Sequence, residues 1–316
     1  MTSLRTFHRV RLLFALVLFS VASTVFAQAS RTVSIHQLSD DYGFPYGGTQ
    51  SMNLSGFVGY KGRLFIVGDK GLDRSLYEIR KEGTQWRIIS RVPLKFSSPS
   101  DLEGAFYSAT GLFLVNESQQ RVYWFDFDGN SAKRRRLTID FPKSMNSENW
   151  GNAGLEGVAY DDERGLLYLA KERAPRAILV FAVKESDGSS AFIKQFDIQP
   201  PAGALGTHSF SDLYFENGFL YALERRSLSV AKIDTETEQV VGRLDFSFII
   251  DTNGGLYDGD PNRYGLAEAL LLTSDMVLIG LDNNGKPIND ANKFAQRFNL
   301  NGTQPTILQV PRPAGF

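Results

Sequence analysis

The chain has 316 residues, of which 42% are hydrophobic, 22% charged and 12% aromatic, a composition that can bury a large core and excludes intrinsic disorder. Its 34 Lys and Arg against 35 Asp and Glu provide no basic excess, so no nucleic-acid partner is expected. With no cysteine, disulfide scaffolds, thiolate metal sites, catalytic thiols and lipid attachment through an N-terminal Cys are excluded together.

Arg5, His8, Arg9 and Arg11 precede an apolar run over residues 12–27, and Ala27-Gln28-Ala29 has the small-residue spacing of a cleavage site. Residues 1–29 therefore read as a secretory signal peptide followed by one domain over 30–316. The apolar run is shorter than the ~20 residues that span a bilayer, so no stable membrane anchor is expected after cleavage. The expected location is periplasmic or secreted. The mature part carries 31 basic and 35 acidic residues, a formal charge of −4, and only His36 and His208 remain of the three histidines. A His-rich zinc site is not available.

A repeat then runs through the chain. Each copy starts with an apolar strand carrying an acid near its beginning, turns, and continues in a second apolar strand that ends on another acid. The copies start at Asn53-Leu54-Ser55-Gly56, Asp101-Leu102-Glu103-Gly104, Gly154-Leu155-Glu156-Gly157, Phe210-Ser211-Asp212-Leu213 and Leu266-Ala267-Glu268-Ala269, and end on Asp69, Glu117, Glu172, Glu224 and Asp282. Aligning Ser55, Glu103, Glu156, Asp212 and Glu268 gives steps of 48, 53, 56 and 56 residues, the period of a repeat architecture. Two further β-rich runs follow each pair, such as 121–127 with 135–141, so one repeat holds about four strands, the content of a propeller blade. The fold expected is an all-β propeller of five four-stranded blades. A sixth is possible if a degenerate blade lies in 31–52 or 284–316. Residues 32–38 and 306–310 are expected to join the last blade and close the ring.

Gly62, Gly111, Gly165 and Gly218 stand at or beside the centres of the first four acid pairs, and Ser274-Asp275 at the fifth. In an antiparallel hairpin this places both acids of a pair at the same end. If these hairpins are innermost, the acids ring one mouth of the central channel, next to Lys70, Lys171, Arg173, Arg225 and Arg226. Glu103, Glu117, Glu156, Glu172, Asp212, Glu224, Glu268 and Asp282 are then candidate oxygen ligands for a hard cation such as Ca²⁺. Lys70, Arg173, Arg225 and Arg226 are candidates to hold a small anionic ligand. Strand-end acids of repeat folds can equally accept backbone N–H groups of the next blade and pair with those cations.

Other motifs in the chain are weaker. Asp258, Asp260 and Asn262 occupy the first three ligand positions of an EF-hand loop, but Arg263 and Ala269 stand where its Gly and bidentate Glu belong. Ser229-Val230-Ala231-Lys232 matches S-x-x-K on a strand rather than on a helix. No G-x-S-x-G, H-E-x-x-H, P-loop or G-x-G-x-x-G pattern is present.

The runs Ser100-Asp101-Leu102-Glu103-Gly104, Asn152-Ala153-Gly154-Leu155-Glu156-Gly157-Val158-Ala159-Tyr160, Leu223-Glu224-Arg225 and Asp282-Asn283-Asn284 together resemble the phytase-like propeller family labelled "esterase-like activity of phytase". They are similar as well to the SdiA-regulated propellers. The resemblance spans residues 50–285 and implies an exported propeller that hydrolyses phosphoric or carboxylic esters. It departs in the first repeat, where Ser55 and Asn53 replace the carboxylate. The alternative is a non-catalytic propeller that binds a ligand or an envelope partner.

Overall fold

The computed structural model describes residues 26–28, 33–39, 53–68, 74–96, 101–173, 175–202, 208–250, 252–257, 267–282 and 284–316. Most of the expected leader, Asp69, Lys70 and the EF-hand-like loop lie outside them. Among the described residues no helix is long and apolar enough to cross a membrane.

Two short strands come first, β1 (Phe26–Gln28) and β2 (Ser34–Leu38). Blade I follows as β3 (Leu54–Tyr60), β4 (Arg63–Gly68), β5 (Ser75–Glu82) and β6 (Gln85–Pro93). Blade II is β7 (Leu102–Ser108), β8 (Gly111–Asn116), β9 (Arg121–Phe127) and β10 (Ala132–Arg135), and blade III is β11 (Leu155–Asp161), β12 (Leu166–Lys171), β13 (Ala177–Lys184) and β14 (Ser189–Phe196). Blade IV is β15 (Phe210–Glu216), β16 (Phe219–Glu224), β17 (Ser229–Asp234) and β18 (Val240–Asp245). Blade V takes β19 (Ala267–Leu272), β20 (Met276–Leu281) and, after the short helix α1 (Lys293–Arg297), β21 (Thr306–Pro311). Every neighbouring pair within blades I to IV is antiparallel. The protein is a β-propeller, and five blades are present among the described residues.

Closure uses both ends of the chain. In blade V, β21 pairs with β20, and β2 adds antiparallel to β21 as the outermost strand, with Ile35 opposite Leu308. The expectation for residues 32–38 and 306–310 is met. Ile35 and Leu38 on β2 are buried, so this strand contributes core as well as edge pairing. The segment that the sequence assigns to the end of the leader, β1, lies parallel to β18 at the outer edge of blade IV, with Phe26 opposite Arg243.

The inner hairpins turn as their sequences require. Lys61-Gly62 (φ 46° and 77°) and Asn217-Gly218 (φ 52° and 79°) both lie in the left-handed region, as two-residue turns matching strand twist demand. The cores form between facing sheets: one cluster joins blades II, III and IV through residues such as Phe113, Tyr160 and Phe181, and another joins blades IV and V around Tyr221, Tyr257 and Leu308. Truncating a buried leucine on the closing strand removes both burial and cavity energy. Leu38→Ala should cost about 2–5 kcal/mol, read as a drop in the thermal midpoint, whereas an alanine at an exposed loop residue such as Glu236 should leave it within experimental error.

Candidate functional site

In all five blades the innermost strand is bulged close to its start. The register slips between Leu54 and Gly56 on β3, Leu102 and Ala105 on β7, Leu155 and Gly157 on β11, Phe210 and Asp212 on β15, and Ala267 and Ala269 on β19. A bulge leaves its extra residue out of the ladder and re-aims its side chain. The bulged residues are Ser55, Glu103 with Gly104, Glu156, Ser211 and Glu268. Next to each of the first three stands a glycine pressed on the following blade. A Cβ on Gly56 would lie 2.8 Å from the Glu103 carbonyl oxygen, one on Gly104 2.4 Å from that of Glu156, and one on Gly157 2.7 Å from the Asp212 Cα.

At the ends of the second strands, matching register positions are held by Glu117, Glu172, Arg225 and Asp282, the residues that follow Asn116, Lys171, Glu224 and Leu281. Blade IV therefore departs from the others twice. Its bulge, like that of blade I, carries a serine, Ser211, but its crowded position holds Asp212 where blades I to III have glycine, and its strand end delivers Arg225 instead of an acid.

The expected acid ring needs correction at these two places. Asp212 occupies the packing position that Gly157 fills in blade III. It is fully buried and accepts hydrogen bonds from the backbone N–H of Leu270 (2.7 Å) on blade V and of Leu213 (2.8 Å). Glu224, also fully buried, faces away from the mouth. Arg176 (3.2 Å), Arg243 (3.0 Å) and the Ser229 hydroxyl (3.0 Å) all bond its carboxylate. Strand alternation explains both, because a one-residue offset turns a side chain to the opposite face. Lys171 is likewise turned away, its ammonium donating to the carbonyls of Ala153 (3.2 Å) and Pro175 (2.9 Å).

The other candidates do converge. A cavity of about 300 Å³ at the mouth is lined by Asp101, Glu103, Glu117, Glu156, Glu172, Glu268 and Asp282, by Arg173, Arg225 and Arg226, and by Ser55, Asn152 and Asn284. Lys70 falls outside the described residues. Asp101, Asn152 and Asn284 also line it, although none of them is a candidate from the acid pattern of the repeats. Their signal lies in the residues flanking each acid-Gly start, where Asp101 precedes Leu102-Glu103 and Asn152 precedes Gly154-Leu155-Glu156.

Arg225 is the hub of this cavity. Its guanidinium reaches Glu156 (3.5 Å), Glu172 (3.5 Å) and Glu268. Arg173 forms an ion pair with Glu172 and donates to the Asn152 carbonyl oxygen (2.7 Å). The Glu172 oxygen in that ion pair, Oε2, is buried. One carboxylate oxygen each from Glu117, Glu156 and Glu172 lies within 4.8 Å of the others. Bringing these groups out of water raises their proton affinity. Burial pushes the Glu117 carboxyl up to about 6, against a hydrogen bond from the Gly154 N–H that opposes it. Burial raises Glu156 well above its ordinary value, with Arg225 opposing and Glu268 adding to the rise. Asp212 is raised by burial too.

A family model described as SdiA-regulated matches residues 50–266, a span that covers blades I to IV and every acid of the mouth except Glu268 and Asp282. The chain belongs to the SdiA-regulated family. Among solved structures, this SdiA-regulated propeller is similar to the glutaminyl cyclase of Myxococcus xanthus, at 14% identity and a TM-score of 0.54 over 91% of this chain and 97% of that one. It also matches the PQQ-bound aldose sugar dehydrogenase of Streptomyces coelicolor at 11% identity and a TM-score of 0.43, over 89% of this chain and 99% of that one.

Two variants test the partition of acids. Glu224→Ala leaves the buried Arg243 guanidinium without its carboxylate and Arg176 with Asp197 alone (2.9 Å), so it should cost about 3–5 kcal/mol in chemical denaturation. Glu117 behaves oppositely. A carboxyl whose folded pKa is raised stabilises the fold below its unfolded value near 4.5 and loses that contribution as pH rises through about 6. In metal-free buffer Glu117→Gln should therefore melt above the parent protein at pH 7.5 and lose this advantage at pH 4.

Proposed function

We propose that this propeller is an exported hydrolase of phosphoric or carboxylic esters, of the phytase-like type. Its acidic mouth would hold a hard divalent cation such as Ca²⁺ and, beside it, a small anionic substrate. The observation that carries the reading is the convergence of one carboxylate oxygen each from Glu117, Glu156 and Glu172, all buried, around one point. Three converging buried carboxylate oxygens fit a hard cation, which takes oxygen donors and offsets their mutual repulsion.

Glu117, Glu156 and Glu172 would hold the cation, which when bound would polarise the ester and lower the pKa of water. The chain's own residues set the stage for it. Arg225, tied to Glu156, Glu172 and Glu268, fixes those carboxylates so that little ordering is required on binding. Arg173 and Arg226 are half-buried at the cavity wall, where a planar guanidinium can take two oxygens of a phosphate or carboxylate. The apolar run over 12–27 and the Ala27-Gln28-Ala29 site support export, and a periplasmic or secreted location suits a cation-dependent site.

A non-catalytic envelope module is the second reading, and the same Arg225 contacts favour it, because a guanidinium that closes three carboxylates on itself leaves a ring that needs no substrate. One set of measurements separates them. Release of p-nitrophenol from p-nitrophenyl phosphate and from p-nitrophenyl acetate is followed with EDTA and with added Ca²⁺, Mg²⁺ or Mn²⁺. Turnover that EDTA abolishes and a cation restores is expected. Cation should also raise the melting temperature, by the equivalent of about 2.7 kcal/mol at a hundredfold excess over Kd, and Glu156→Gln with Glu172→Gln should abolish the shift. A cation shift without turnover of either ester supports the module, and neither effect makes the ring purely structural.

A further inference from the structure

The channel end opposite the acidic mouth opens into a larger cavity of about 680 Å³ between blades I and V, within the range that holds small organic ligands. It lies beside the inner turns at Lys61-Gly62 and Ser274-Asp275. Phe57, Leu64, Ile79, Trp86, Leu271 and Leu278 supply an apolar floor.

Its charge is the reverse of the first site. Lys61, Arg63, Arg80 and Lys81 line it together with only two carboxylates, Glu78 and Asp275. Arg63 neutralises Glu78 through paired bonds of 2.9 and 2.7 Å, and the Ser90 hydroxyl also donates to it at 2.7 Å. Asp275 accepts from the Thr273 hydroxyl at 3.0 Å. Lys61, Arg80 and Lys81 stay exposed at the rim. Lys61 rests over the Tyr60 ring and Lys81 donates to the Gln309 side chain at 2.9 Å, while Arg80 makes no ion pair among the described residues.

Trp86 supplies an independent observation. It is only 7% exposed, and its indole N–H meets no acceptor among the described residues, a hydrogen bond left unmade inside a cavity wall. Lys81 and Trp86 are directly opposed in the β5–β6 ladder, so their side chains stand on the same face of blade I. The indole nitrogen itself is closed off from the cavity, so Trp86 offers its ring as floor and Lys81 offers the donor above it.

We infer that this cavity is a second ligand site, for an aliphatic monocarboxylate whose chain lies on the apolar floor and whose head group sits at the rim beside Lys81, with Arg80 and Lys61 providing the favourable field. The proposal is independent of any hydrolytic role for the other mouth. Calorimetric titration of the mature chain with dodecanoate below its micellar concentration tests it, with dodecyltrimethylammonium at the same chain length as the charge control. Saturable dodecanoate binding at least tenfold tighter than the ammonium compound is expected. Lys81→Glu combined with Arg80→Glu, both exposed positions, should weaken dodecanoate at least tenfold. No saturable binding, equal affinity for the two head groups, or unchanged affinity in the charge-reversed variant would overturn the assignment.

Discussion

Five twisted sheets arranged around one axis are forced closest together at the starts of their innermost strands, and this crowding shapes everything at the mouth. The glycines at 56, 104 and 157 let each blade press its backbone on the bulge of the next, with carbonyl and Cα atoms closer than any Cβ would allow. The same bulge lifts the adjacent residue out of the ladder. Packing and site are thus made by one local device: the residue that cannot be large is followed or preceded by the residue that is aimed at the channel. An acid-Gly pair at the head of a strand is what this geometry looks like in sequence.

Blade IV uses the device differently, and its departures are coupled. At the crowded position it places Asp212 instead of glycine, and that carboxyl reaches the Leu270 N–H of blade V, tying two blades with a side chain where others rely on backbone contact. At the strand end it delivers Arg225, which is the only residue of that register position carrying positive charge, among Glu117, Glu172 and Asp282. A guanidinium set among carboxylates removes most of the Coulomb cost of gathering them. A fivefold ring of acids would have been self-repelling. The actual ring is asymmetric and partly self-compensated.

Most of the architecture was legible in the chain. The repeat of acid, turn glycine and acid marks the inner hairpins, and the unassigned strands near each end mark the closure. The four-strand content and blade count followed from spacing. The candidate site was legible for Glu103, Glu117, Glu156, Glu172, Glu268 and Asp282, and misread for Asp212 and Glu224. Aligning by acid letter matched Asp212 with Glu156, whereas the ladder matches Ser211 with it. The signal for the correct register was present in the apolar pattern, since Tyr221 in β16 corresponds to Tyr168 in β12, and counting four residues on from each gives Arg225 and Glu172. Glu224 was the harder case. A fully buried Glu in a strand looks like a site residue until its partners Arg176 and Arg243, 48 positions before and 19 after it, are brought together by the fold.

The two ends of the channel differ in chemistry because they differ in what the strands have available there. At the bulged end the strand starts and strand ends carry acids and arginines, so the cavity is lined by carboxylates and guanidinium groups within about 300 Å³. At the turn end the blades have fanned apart, the gap between blades I and V is wider at about 680 Å³, and long side chains from β5, β6, β19 and β20 can reach across it. Apolar surface covers its floor while lysine and arginine stems extend to water at the rim, keeping their charges solvated. One end thus concentrates negative charge in a confined space, where ionisation is costly and the Arg225 guanidinium offsets part of it. The other sets dispersed positive charge above an apolar floor, where a ligand gains both from burial of its body and from the field on its head group. The polarity of the molecule follows from the taper of its blades.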